Sequence, residues 1–391
     1  MNKRIITVFA IILVFCFISC STDSNLNLHN TNVIRQLQIQ EYGPYVFISR
    51  GKVWKYNILT NELTKACVDP ECKGDCPLEG AITYINQVWE GKLFFSSFTA
   101  YTHEYYYGFQ DLISGEVTIL KKLEATENSG NAVIAVSKGW VYYCRKKIKD
   151  GGKITNPDDF ETLICRIHSD SRTEETVLKI DSASLMAVVE DKLILLRDGK
   201  LVSVDVLSNI EVELLDFDER GFTLPGSKIS SLGNTLYFCV KSREFFESEY
   251  SKASYAKQYL ISVNLDTGLV KKINDSPVIS FCLTDEAIYY VPMVQRHLYV
   301  PDNYVDSPSS VVVFYADSSL HRCNHDGTDD KVVFTNETLD FAEEFTVIDN
   351  KLIGELFNYD EEEHRFTPGG FFGTVDLDTK TITRSIGEIS R

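Results

Sequence analysis

Helices are the first thing this chain lacks. Apolar residues recur at a helical spacing almost nowhere, and the best stretch for it, Glu244 to Gln258, lies inside a connection between alternating segments. An all-β chain is what remains. Linkers are missing too. The 391 residues are too many for one ordinary core, yet no Pro-, Gly- or Ser-rich stretch divides them, so the chain enlarges one domain by repetition. Positive charge is scarce: 39 Lys and Arg stand against 56 Asp and Glu with no basic stripe, which excludes a surface for nucleic acid. An acidic exterior of this kind keeps an exported protein soluble. Catalytic signatures are absent as well, with no H-E-x-x-H, Walker loop, G-x-S-x-G or dinucleotide fingerprint.

What the chain does have is a sevenfold repeat. Its copies are Asn57 to Asn61 (NILTN), Asp111 to Gly115 (DLISG), His168 to Arg172 (HSDSR), Asp205 to Asn209 (DVLSN), Asn264 to Gly268 (NLDTG), Asn324 to Thr328 (NHDGT) and Asp376 to Lys380 (DLDTK). Asn, Asp and Gly tolerate a positive φ and close tight turns, so these segments predict hairpin tips. Upstream of each tip lies a second hairpin, whose later strand carries an apolar marker at Val46, Leu93, Val141, Leu193, Leu236, Ile288 and Leu352. Successive markers are 47, 48, 52, 43, 52 and 64 residues apart, the period of a four-stranded blade with loops of varied length. Strands at this period predict an all-β, seven-bladed β-propeller of four-stranded antiparallel blades, with six or eight blades as the alternatives. Blade four is the barest copy: LMAVVED, KLILLRDG, KLVSVDVLSN and IEVELLDF alternate as half-buried strands do. Blade one fits when Ile34 to Gln40 is its first strand, which makes all seven blades contiguous with no exchanged closing strand. The 20 Tyr and 23 Phe suit the faces between blades.

The N-terminus is a separate device. Asn2, Lys3 and Arg4 form a positive start, Ile5 to Ile18 is an apolar run too short for a usual membrane span, and Ser19 precedes Cys20. The FISC sequence resembles the cleavage site of bacterial lipoprotein signals. The resemblance implies a signal peptide over residues 1–19, a lipid on Cys20 that holds the protein to the bacterial membrane or cell surface, a polar tether over 20–32, and the propeller over 33–391. Loss of Lys3 and Arg4 with the signal makes the remaining chain more acidic still.

Of ten cysteines, Cys16 leaves with the signal and Cys20 carries the lipid. The cluster Cys67, Cys72 and Cys76 in CVDPECKGDCP is the sharpest motif in the chain. With SLHRCNHDGTDDKVVF downstream, it resembles β-propeller lipoproteins of anaerobic Gram-positive bacteria, a family of unknown function. Those proteins carry roughly C-x-DP-x-C-x-H and then CP after the first blade, and repeat an LYRxNxDGT blade signature. The likeness covers the signal, the Cys segment and most blades, and implies a surface propeller without an activity. Lys73 and Gly74 stand where that pattern has a His, and the loop before Cys76 is shorter. Three thiolates without a nearby fourth ligand speak against structural zinc, which wants four N or S ligands, and no metal or cofactor is assigned. A disulfide within the cluster, free thiols and a metal site stay open as alternatives. Cys144 and Cys165 flank an insertion in blade three on neighbouring strands, where a cross-strand bridge and two buried thiols are equal alternatives.

Topology predicts where function sits. With strands a to d counted from axis to rim, the b–c and d–a connections emerge on one face and the a–b and c–d turns on the other. Nearly all extra length falls in the first set: Phe98 to Glu104, Lys146 to Glu161, Ser242 to Lys257, Pro292 to Ser310 and Asn358 to Gly369, with the Cys segment as the d–a connection after blade one. Long connections on a rigid scaffold are the usual seat of binding. They hold aromatic and acidic residues, and Tyr101, His103, Phe245, Phe246, Tyr250, His297, Tyr299, Tyr304, Tyr359 and His364 are the candidate contacts for a protein, peptide or glycan. Packing of the connections against each other is the competing role for these side chains. No residue is assigned as catalytic. Asp266-Thr267-Gly268 spells the aspartic protease triplet but is one of seven hairpin tips, and Ser254 to Lys257 reads S-x-x-K without companion motifs. The sialidase Asp-box and the tryptophan repeats of quinone-dependent propellers are missing, only Trp54, Trp89 and Trp140 being present. A non-catalytic surface module is the leading expectation. An extracytoplasmic hydrolase or lyase acting on glycans through axial carboxylates is the alternative.

Overall fold

A computed structural model of the chain describes residues 39–50, 52–68, 76–78, 82–99, 104–124, 134–148, 160–180, 183–246, 255–294, 319–336, 339–360, 365–366 and 371–386. All belong to the second of two compact units, residues 33–391. They form seven antiparallel sheets arranged in a ring, a seven-bladed β-propeller, and no helix occurs among them. The blades take residues 39–65, 82–124, 134–180, 183–216, 222–272, 278–335 and 339–384, and in each the four main strands follow one another in sequence and in the sheet. Blade seven has one extra strand, Arg365–Phe366, paired with strand b, Lys351–Asp360.

The seven apolar markers all fall on strand b, and every one is wholly excluded from solvent. The reason is the period of two: strand b has neighbours on both edges and a blade on both faces, so alternate side chains pack in opposite directions. Seven apolar clusters result, each straddling one seam. Val46, Ile48, Tyr56 and Leu63 of blade one, for example, meet Ile353 and Phe372 of blade seven. Leu236, Phe238 and Ile261 of blade five meet Ile194, Leu201 and Leu215 of blade four.

Six of the seven hairpin tips share one chemistry, and in that of blade six Asp326 Oδ1 takes the Thr328 amide instead (3.0 Å). In those six the first residue accepts hydrogen bonds from the amides two and three positions on, as Asp111 Oδ1 does from Ile113 (3.0 Å) and Ser114 (2.8 Å), and Asn264 Oδ1 from Asp266 (3.1 Å) and Thr267 (2.9 Å). In blade three His168 Nδ1 takes the same two amides at 3.3 Å, which explains how a His fits the pattern. The second tip residue ties the c–d turn to the a–b turn of its own blade. Its amide donates to a carbonyl at 2.8 to 2.9 Å in Ile58→Pro44, Leu112→Gly91, Ser169→Gly139, Val206→Asp191, Leu265→Asn234 and Leu377→Asn350. In blade six His325 Nε2 makes the link instead, to Thr284 O at 2.8 Å.

At three seams a side chain also joins a tip to the outermost strand of the blade before it. Arg172 Nη1 donates to Ile119 O (3.1 Å), Lys380 Nζ to Val333 O (2.5 Å), and Lys271 Nζ reaches back from blade five to Asp326 O (2.5 Å). A main-chain contact closes the ring. Ile386, beyond the last strand of blade seven, bridges Glu62 of blade one, with Ile386 N donating to Asn61 O (2.7 Å) and Leu63 N to Ile386 O (2.9 Å).

Two sequence expectations need correction. The first strand of blade one is Ile39–Tyr42, running toward the turn at Gly43 and Pro44, and residues 34–38 of the expected strand lie outside the described residues. Glu244 to Gln258 is not helical at either end: strand b of blade five runs on to Phe246 and strand c begins at Tyr255.

Candidate functional site

The a–b and c–d turns are short in all seven blades, so variable length is left to the opposite face. The b–c connection is one residue in blade one (51) and a two-residue turn at Asp198 and Gly199 in blade four. In blades two, three, five, six and seven it spans 100–103, 149–159, 247–254, 293–318 and 361–370. These differ from the sequence expectation in kind. Strands b and c of blades three, five and seven continue as paired ribbons beyond the described pairing of their neighbouring strands, so part of what reads as loop is sheet. Phe98 opposes Tyr105, Ile148 opposes Phe160, Phe246 opposes Tyr255, and Tyr359 opposes Phe366. In blade six strand b ends at Pro292 and the described part of strand c begins at Ser319, so most of Pro292 to Ser310 lies outside the described residues.

Of the ten candidate contacts, Phe245, Phe246 and Tyr359 lie on these ribbons. Tyr101, His103, Tyr250, His297, Tyr299, Tyr304 and His364 lie outside the described residues. Cys72 does as well, so the cluster is represented by Cys67 and Cys76.

The described ribbon roots join carboxylates to aromatics and lysines. In blade two the rings of Phe98 and Tyr105 are 4.6 Å apart, the Tyr106 hydroxyl donates to Glu104, and Lys122 Nζ stands 2.6 Å from the same carboxylate. In blade five the Tyr259 hydroxyl donates to Glu244 (2.9 Å), Lys257 Nζ is 3.5 Å away, and Lys272 Nζ lies 3.6 Å from the Tyr259 ring centre. The Tyr259 hydrogen bond holds the Glu244 carboxyl below its ordinary range, while burial pushes the Tyr259 phenol up to about 12. Carboxylates neutralised in this way are built to hold a shape and to accept hydrogen bonds.

Near the axis the electrostatics differ. Glu41, on strand a of blade one, accepts a hydrogen bond from Thr346 of blade seven at 2.5 Å. Burial, with Asp349 and Asp285 on the neighbouring a–b turns, raises its pKa. Its position next to Gly43 and Pro44 puts it toward the a–b face, opposite the ribbons. Among the described residues no group of three or more His, Cys, Asp or Glu is placed to hold a metal ion.

Of the two alternatives for Cys144 and Cys165, a cross-strand bridge and two buried thiols, the register fits the second. Cys144 opposes Ile164 and Cys165 opposes Tyr143, one position out of step. Their side chains therefore leave opposite faces of blade three, Cys144 into the core shared with blade four and Cys165 into that shared with blade two. Both are buried free thiols.

Two side-chain groups were not anticipated. In blade six the Tyr290 hydroxyl donates to Asp330 (2.6 Å) and touches His321 Nδ1 (3.3 Å), with the His ring tilted over the Tyr ring at 5.0 Å. In blade three the Arg166 guanidinium sits 4.2 Å over Trp140, whose ring meets His168 edge-on at 5.1 Å. Both use residues from strands b and c in register, a signal visible only once the pairing is known.

The fold has relatives among solved structures. The chain is similar to a puromycin hydrolase (11% identity, TM-score 0.50, 95% of this chain and 56% of that one) and to a structure from a mechanistic study of two prolyl endopeptidases (11% identity, TM-score 0.52, 92% and 50%). It also resembles the β-propeller domain of the Trilobed protease from Pyrococcus furiosus (9% identity, TM-score 0.48, 90% and 94%). The chain spans about half the length of the first two. At these identities the likeness establishes the propeller alone. No protein-family model and no curated protein matches the chain.

Proposed function

We propose that this protein is an exported, lipid-anchored propeller that acts as a non-catalytic binding module, taking a protein, peptide or glycan on the face of its b–c and d–a connections. One observation carries the reading. The a–b and c–d turns repeat the same main-chain hydrogen bond in six of the seven blades, while strands b and c of blades three, five and seven run on as paired ribbons on the other face. A uniform face built for assembly opposite a varied face built for contact is how a rigid scaffold presents a recognition surface. The lipid on Cys20 would hold that surface at the cell envelope. A screen of the secreted proteins and glycans of the cell against residues 33–391 tests the proposal. A specific ligand whose binding is lost when the connection between Pro292 and Ser310 is shortened supports it, and undiminished binding by that variant moves the site elsewhere. Intact mass after expression in a bacterium that processes lipoproteins tests the anchor, an unmodified N-terminus being the contrary result.

A second reading, a glycan-acting hydrolase or lyase, is favoured by Glu41, an axial carboxyl with a raised pKa flanked by two further acids. Turnover of an envelope glycan that disappears in Glu41→Gln would establish it in place of the binding role.

A further inference from the structure

The connection from blade one to blade two returns on itself at a single residue. Val53, wholly buried in strand c of blade one, accepts a hydrogen bond from Ala66 N (2.9 Å) and donates one to Leu78 O (3.0 Å). Ala66 and Leu78 are themselves buried, and the Gln110 side chain of blade two fixes Ala66 O from the other side (2.9 Å). Both ends of the connection are thus pinned to one residue. Cys67 follows one anchor and Cys76 precedes the other by two residues, and their sulfurs come to 3.6 Å from each other. Both side chains pack half-buried against the apolar cluster that joins the two blades.

We propose that Cys67 and Cys76 form a disulfide that fastens this connection into the first seam of the propeller, leaving Cys72 outside the pair. A sulfur separation of 3.6 Å is closed to a covalent bond by a movement of about 1.5 Å, within reach of small side-chain rotations. The other described thiols are placed for a different fate. Cys144 and Cys323 are buried, which pushes each thiol up to about 12 and withholds the nucleophilic thiolate. Cys165 and Cys282 lie against Thr176 and Thr346 hydroxyls. The reaction is thiol–disulfide exchange with a small-molecule disulfide. Two S–H bonds are lost and one S–S bond forms, and the oxidant accepts two electrons and two protons to leave as two thiols.

The experiment uses the full chain, reduced, purified, and then exposed to glutathione disulfide before alkylation and non-reducing peptide mapping. The expected result is a peptide pair joining Cys67 to Cys76, a mass lower by two hydrogens, and alkylated Cys72. Cys72→Ser keeps the bridge, whereas Cys67→Ser and Cys76→Ser each remove it. Reduction of the bridged protein lowers Tm by about 3 to 6 °C, the effect of opening a short covalent loop in a domain of this size. A bridge that includes Cys72, or three alkylated thiols after oxidation, overturns the assignment. The map is read on the unsubstituted chain, so it stands even where a Ser variant folds poorly. The inference does not depend on what the ribbon face binds.

Discussion

Adding one methyl group at Gly327 should cost far more than adding it at Gly199, although both glycines have a positive φ, +83 and +75. Gly327 is in the hairpin tip of blade six, where an added Cβ would stand 1.8 Å from the carbonyl oxygen of Ile273 in blade five. Gly199 turns in blade four with nothing within 4 Å of the same position. Both Ala variants carry the left-handed backbone strain of about 1 to 2 kcal/mol. Gly327→Ala must in addition retreat from the neighbouring blade by more than 1 Å, on the order of a methyl radius. That movement pulls Asp326 O from Lys271 Nζ (2.5 Å) and His325 from Thr284 O (2.8 Å). At about 1 kcal/mol net for each hydrogen bond, the total loss is about 3 to 4 kcal/mol against about 1 to 2 for Gly199→Ala. Equilibrium urea unfolding measures both. Gly268→Ala, whose nearest neighbour would be Leu214 O at 3.8 Å, should behave like Gly199→Ala. Should Gly327→Ala and Gly199→Ala unfold within about 0.5 kcal/mol of one another, a usual limit for coupling between independent sites, the seating of this tip on the preceding blade is wrong.

Further outcomes follow from the same geometry. Glu90 occupies the left-handed region at φ 45, so Glu90→Asn should stabilise the domain by about 0.5 to 1 kcal/mol, read as a higher urea midpoint. Leu193→Ala removes a wholly buried marker side chain and should cost about 2 to 5 kcal/mol in the same assay. Hydrogen bonds, chiefly from the backbone amides of Ser208, Ser114 and Thr379, lower the carboxyl pKa of Asp205, Asp111 and Asp376 in the folded state. Their contribution is present above the unfolded carboxyl range and fades as pH falls through the lowered folded values. The triple change to Asn keeps the acceptor oxygen, as Asn57 and Asn264 show, and should flatten the fall in Tm between pH 5 and pH 3, roughly the range spanned by carboxyl titration. Non-reducing maps should never join Cys144 to Cys165, even after prolonged oxidation.

The propeller was readable in the sequence because its two repeated signals are local. A tip needs an acceptor side chain two and three residues before the amides it caps, and strand b needs a side chain that tolerates complete burial. Both leave marks within a few residues, at Asp111 or Leu193 alike. The ribbons were not readable, since a pair such as Phe246 and Tyr255 is made by strands meeting across a connection, and the register shifts between Lys241 and Phe245. The Cys144 and Cys165 offset shows how little separates the two outcomes: one residue of register exchanges one face of a sheet for the other. The seat of the tips on neighbouring blades was also hidden, because Gly327 and Ile273 meet only after the seam forms.

The closure at Ile386 has a consequence for the order of the chain. Blade one holds blade seven through an apolar cluster of the kind every seam has, with a main-chain bridge laid beside it, and no strand is exchanged between the two ends of the ring. Joining residue 386 to residue 39 through a linker and opening the two-residue turn at Asp198 and Gly199 would give a circular permutant in which blade four alone is assembled from both ends of the chain.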